Sequence, residues 1–159
     1  MPVITGPHNN ADIFLNVGIV DADAIDFSGP DIQLGHIPPP PLFKSLIDTG
    51  AQKTMISPRV ISALGLQPRG RILVSGVGPQ AHYHNGYLFH VAFVAPLATP
   101  SQAIQVGSVG ATAVVHVQRD AIYGAEIPST GGLFDVLLGM DVLTTGLLVV
   151  QNGQFTFSY

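Results

Sequence analysis

The chain has no cysteine, which excludes a disulfide framework, a thiolate nucleophile and a cysteine-ligated zinc site. It is also poor in charge. Only 10% of its residues are Asp, Glu, Lys or Arg, against about 25% in an average soluble protein. Six basic residues face ten acidic ones, a formal net charge of −4. They form no basic cluster, so the electrostatic footprint of nucleic-acid binding is missing. Long apolar runs are absent too: the richest, residues 133–143, is cut by Asp135, Gly139 and Asp141, short of what a membrane-spanning helix needs. Residues 1–5 carry no basic segment followed by an apolar stretch, so no signal peptide is expected. The default expectation is a soluble, cytoplasmic protein without a membrane or nucleic-acid partner. A surface this poor in charge favours covering apolar area with a partner, so an oligomer is expected.

What is abundant is punctuation. Eighteen Gly and 13 Pro divide the chain into short runs rich in Val, Ile, Leu, Phe and Tyr, the pattern of a many-stranded β protein. Strands are predicted at residues 11–20, 42–47, 71–75, 87–95, 111–118, 134–138, 147–151 and 154–158. The last two are joined by an Asn152-Gly153 hairpin turn. One helix is predicted at 57–64, with Ser57 as N-cap, Pro58 at the first helical position and Gly65 as the stop. A helical turn is expected at 140–145. Residues 21–41 read as a stiff connection ending in four prolines, and 96–110 as a loop. The 159 residues fit one domain, with 1–41 an N-terminal strand and Pro-rich connection, and 42–159 the core.

The segment Leu46-Ile47-Asp48-Thr49-Gly50-Ala51 carries the chemistry. Two apolar residues end a buried strand, and an Asp follows where the chain must turn. Gly50 is read as allowing a backbone geometry that a side chain would block, and as letting main-chain N–H groups approach the carboxylate. Thr49 offers a hydroxyl for a buried hydrogen bond, and Ala51 leaves room beside the reacting group. No Asp or Glu lies between Asp48 and Asp120, so no neighbouring acid competes for this role.

Residues 48–66 resemble the active-site stretch of retropepsin-like aspartic proteases, both those of retroelements and the cellular DNA-damage-inducible type. Leu137-Leu138-Gly139, continued by Met140-Asp141-Val142-Leu143, is similar to the second hallmark of that family. Ser75-Gly76-Val77-Gly78 is similar to its flap, the hairpin that closes over substrate, although Asn85-Gly86 offers another tip nearby. The likeness spans roughly residues 42–158. It implies an all-β subunit, a closed barrel-like fold with one or two short helices that acts as a homodimer. It further implies an aspartic endopeptidase with Asp48 as the catalytic carboxylate of each chain. Thr49, Gly50, Ala51, Leu137, Leu138 and Gly139 would support it, Ser75, Gly76, Val77 and Gly78 would bind peptide or protein substrate, and no metal or organic cofactor would take part. Viral members carry a buried acid–arginine pair where Gln52 and Met140 stand here. Losing both partners together leaves no unpaired buried charge, but the dimer contacts tied to that pair are then unspecified.

Other readings of the same residues are weaker. Gly76-Val77-Gly78-Pro79-Gln80-Ala81 matches a dinucleotide-binding spacing, yet Pro79 denies the helix that should follow and the acid-free stretch denies the ribose contact. His82 and His84 could share one face of a strand, with His90 or His116 as third ligands to a metal, but solvated histidines explain them as well. Ser75 with a His and an Asp could be cast as a triad, yet no nucleophile elbow accompanies it. Asp21, Asp23, Asp26 and Asp31 lack the calcium-loop pattern. Asp135 and Asp141 read as structural hydrogen-bonders, and Glu126 as a loop residue. The rival from another class is a non-catalytic dimeric binding or scaffold module on the same fold.

Overall fold

A single 16-residue strand ties the sheet together. In the computed structural model, which describes residues 3–8, 12–25, 27, 40–75, 80–96, 113–128 and 130–159, β6 (Ala81–Pro96) pairs successively with four others. These are β5 (Gly70–Ser75), β8 (Ile122–Glu126), β2 (Ile13–Asp21) and β7 (Ala113–Val117), all antiparallel. Beyond β2 come β3 (Leu42–Ile47), β9 (Val136–Leu138) and the two-residue β4 (Met55–Ile56), which closes back on β8. The molecule is mostly strand, with few helices, as the pattern of short apolar runs requires.

A second sheet of three strands, in the order β1 (Val3–Pro7), β11 (Gln154–Ser158), β10 (Leu147–Gln151), packs on one side. Period-two alternation sends Phe155 and Phe157 of β11 inward, where they join Phe89, Phe93, Val17 and Ile19 in one buried cluster. Each of these four phenylalanines is at most 2% exposed, so truncating any one to Ala would cost about 3–5 kcal/mol. Its outer edge strand, β10, leaves Leu147, Val149 and Val150 exposed.

The helix forms where its caps place it. α1 (Pro58–Leu64) starts from Ser57, whose hydroxyl accepts from the Val60 N–H, and stops at Gly65, which turns left-handed at φ +65°. Main-chain bonds from Gly65 to Ser62 and from Leu66 to Ile61 close the last turn, the usual glycine-terminated ending. The second helix, α2 (Met140–Leu143), is one turn long. Three strands lie outside the expectation: β1, β4 and β8. The expected loop at 96–110 falls outside the described residues, apart from Pro96 at the end of β6. Asn85-Gly86 is not a turn but lies within β6. A Cβ on Gly86 would sit 2.4 Å from the Tyr123 hydroxyl, so its glycine serves close strand packing.

His90 of β6 is 4% exposed. Its Nδ1 lies 3.0 Å from the Gln118 carbonyl, and the Phe27 ring stands edge-on to it. Burial lowers its pKa, against the opposing pull of the Gln118 carbonyl and the Asp120 charge. The unfolded chain therefore binds a proton at a pH where the folded chain does not. Stability is complete above the ordinary imidazole range and falls as pH drops through it. Denaturant midpoints between about pH 7.5 and about pH 5.5 should decline for this chain and decline less for His90→Gln.

Candidate active site

Asp48 stands where β3 ends, and the topology around that point is unusual. β9 pairs parallel with β3 on one side, with Ile47 opposite Leu138, and antiparallel with β4 on the other, with Met55 opposite Leu137. The chain therefore leaves β3 at Asp48, crosses the end of β9, and returns as β4. The connection has only residues 48–54 to do this, which forces it close over Gly139.

The turn is held from both sides of that glycine. The Asp48 N–H donates to the Leu138 carbonyl at 3.0 Å, and the Met140 N–H donates to the Ala51 carbonyl at 2.8 Å. Within the turn, Gly50 N–H donates to Asp48 Oδ1 at 2.8 Å and Ala51 N–H to the Asp48 carbonyl at 3.2 Å. Gly50 is not in the left-handed region. What the missing Cβ gives is proximity: a Cβ there would lie 3.2 Å from Asp48 Oδ1. At Gly139 the need is steric. An added Cβ would fall 2.6 Å from the Lys53 carbonyl carbon, and backbone at that distance has nowhere to retreat. Leu138 is fully buried behind the turn and Leu137 partly so.

Sequence reasoning missed the residue that anchors the crossing. Thr54, 0% exposed, sits at its far end and donates both its N–H (2.9 and 3.1 Å to the two oxygens) and its hydroxyl (2.7 Å) to the Asp141 carboxylate. The same hydroxyl accepts the Gly139 N–H at 3.1 Å. Thus the first acid of α2 is bound to the loop that carries Asp48. Where a charged pair might have joined these elements, Gln52 and Met140 are exposed, and Thr54–Asp141 makes the link instead. No sequence pattern marks Thr54, since its partner lies 87 positions away. Asp135 is structural in the same sense: it meets Arg59 at 2.8 Å and the Ser57 hydroxyl at 3.4 Å. Glu126 is not a loop residue. It ends β8 and accepts from Asn85 and Tyr87 of β6.

Asp48 itself is half-buried, while Thr49 and Gly50 are exposed. The result is a carboxylate on a rigid strand end with one oxygen occupied by a backbone N–H. Such a group can take or give a proton without the backbone moving. The β5–β6 hairpin has Ser75 paired with Ala81, so its turn lies between them. Gly76, Val77 and Gly78 lie outside the described residues. His82 and His84 project from one face of β6, opposite Val74 and Ile72.

A family model described as aspartyl protease matches residues 42–142, the span from β3 into α2. Among solved structures, the chain is similar to one titled as the crystal structure of a retropepsin-like aspartic protease from Rickettsia conorii. That likeness has a TM-score of 0.51 at 14% identity and covers 99% of this chain and 90% of the other, which places the fold as retropepsin-like. No curated protein matches the sequence.

Proposed function

Since the chain belongs to the aspartyl protease family, we propose that it is an aspartic endopeptidase whose active form is a homodimer. In this reading two Asp48 carboxylates meet at the twofold axis. The observation that carries it is the single Asp48 turn, pinned on both sides of Gly139 and bordered by exposed Thr49 and Gly50. Peptide hydrolysis by carboxylates needs two of them sharing a proton. One takes a proton from the attacking water as its oxygen bonds to the scissile carbonyl carbon. The other, protonated, polarises the carbonyl oxygen and afterwards a proton passes to the leaving amine as the C–N bond breaks. A symmetric partner provides the second carboxylate without a second motif in the chain. Peptide would lie extended in the groove, covered by the hairpins that carry Ser75, Gly76, Val77 and Gly78. The exposed apolar edge of β10 is a surface a second chain could cover.

The test is a mixing experiment. Subunits of the Asp48→Asn variant are added to an equal amount of unaltered chain and left to exchange. If each site needs two intact carboxylates, mixed dimers are inactive and activity falls to about half. Activity that stays constant as variant is added would mean each chain works alone, and the dyad would have to be abandoned.

A further inference from the structure

Only two of the five asparagines precede a glycine, Asn85 and Asn152, and the fold treats them in opposite ways. An Asn-Gly pair is open to attack on the asparagine side chain by the next main-chain nitrogen, because glycine has no Cβ to shield that nitrogen. The reaction needs a nitrogen not tied to a carbonyl, space for a five-membered ring, and a backbone that can turn at the asparagine.

Asn152-Gly153 is the two-residue turn between β10 and β11, with Gln151 opposite Gln154. Both residues have positive φ, +52° and +72°, the pattern of a type I′ turn. Asn152 is exposed. Neither its side-chain amide nor the Gly153 N–H has a hydrogen-bond partner among the described residues. A Cβ on Gly153 would meet nothing within 4 Å, so the space beside its nitrogen is open. One main-chain bond holds the turn from outside, from the His8 N–H to the Gly153 carbonyl at 3.0 Å. Opening a hairpin tip costs little beside unfolding the chain.

Asn85-Gly86 lies within β6, with β5 on one side and β8 on the other. Gly86 is buried against the Tyr123 hydroxyl, and its carbonyl accepts the Arg69 N–H at 2.7 Å. Asn85 Nδ2 donates to Glu126 Oε2 at 3.1 Å. Turning the backbone at Asn85 would break the longest strand of the molecule.

We infer that Asn152 is a site of spontaneous modification and Asn85 is not: in the folded chain Asn152 deamidates through a succinimide. The Gly153 nitrogen gives up its proton and bonds to Asn152 Cγ. The bond from Cγ to the side-chain nitrogen breaks, and ammonia leaves. Water then opens the ring. Attack at Cγ gives aspartate, and attack at the main-chain carbonyl of residue 152 gives isoaspartate, whose chain runs through the side chain. Either way one water is consumed, one ammonia is released and one negative charge is added. That charge enters a sheet with none, since β1, β10 and β11 contain no Asp, Glu, Lys or Arg. Aspartate still tolerates the left-handed turn. Isoaspartate adds a backbone atom to it, and the β10–β11 register depends on a two-residue loop. The reaction requires neither the Asp48 chemistry nor a dimer.

Ageing the whole chain in neutral and mildly alkaline buffer, followed by tryptic digestion and mass spectrometry, tests this. Cleavage after Arg71 and Arg119 gives fragments 72–119 and 120–159, whose single asparagines are Asn85 and Asn152. Acid at position 152 is expected at least about tenfold faster than at position 85 in the folded chain, and faster at the higher pH. In chain aged in urea the two positions should convert at comparable rates. Aged protein is expected to contain isoaspartate and to melt below fresh protein. Asn152→Gly, which fits the turn, should melt like fresh protein and keep its melting point on ageing. Equal rates at the two positions in the folded chain, or an Asn152 that converts only in urea, overturn the assignment.

Discussion

On the proposed mechanism, Asp48→Asn is expected to lower peptide cleavage by about 10⁴-fold or more, since it would remove both the general base and the general acid, each worth about 10²–10⁴. The fold should survive unchanged. The Asn oxygen can still accept the Gly50 N–H that now reaches Asp48 Oδ1, and the main-chain bond from residue 48 to Leu138 does not involve the side chain. Loss of activity with an unaltered melting curve would therefore be a chemical effect and not an unfolding one. The proposed dimer should hold at least as well, because two neutral amides would replace two groups that could not both ionise at close range. In the unaltered chain, cleavage should follow a bell-shaped pH profile belonging to the pair and not to either carboxylate. Retained cleavage in Asp48→Asn, measured on a peptide library with the variant purified to homogeneity, would remove this residue from the reaction.

What could be read from the sequence was what is local. β3 and the β10–β11 hairpin have their expected bounds, because alternation and an Asn-Gly turn operate within a few residues. α1 follows its Ser-Pro start and Gly stop for the same reason. The missed strands depend on distant partners. β1, with its Gly and Pro, exists by pairing with β11 at the other end of the chain. β4 has two residues and takes its form from β8 and β9. β8 carries Gly124 in its middle, which reads as a loop signal, yet a Cβ there would fall 2.7 Å from both the Phe89 ring and the Thr54 carbonyl. The candidate site divides likewise. Asp48 and Gly139 sit in recognisable short motifs, while Thr54 shows no local pattern at all.

That hidden residue underlies the second large effect. Asp141→Ala should destabilise the chain by about 3–4 kcal/mol, a substantial share of the roughly 5–15 kcal/mol that holds a typical domain. The deletion leaves the buried Thr54 N–H without an acceptor, and hydrogen bonds to a charged group are worth about 1.5–3 kcal/mol each. Asp141→Asn keeps an oxygen facing Thr54 and should cost less, about 1–2 kcal/mol. Thr54→Val spares the bond from the Thr54 N–H but orphans the Gly139 N–H, which now donates to the Thr54 hydroxyl. Chemical denaturation of the single and double variants should show a coupling of about 1 kcal/mol or more between positions 54 and 141. Purely additive losses would mean that the two side chains stabilise the chain separately. The link also makes a kinetic demand. If it holds the Asp48 turn in place, Asp141→Asn should reduce kcat at temperatures where the variant is still fully folded, because a misplacement of about 1 Å in a reacting group can cost about 10²-fold. A variant that is less stable but cleaves at the full rate would show that the turn keeps its geometry from the Leu138 and Met140 backbone bonds alone.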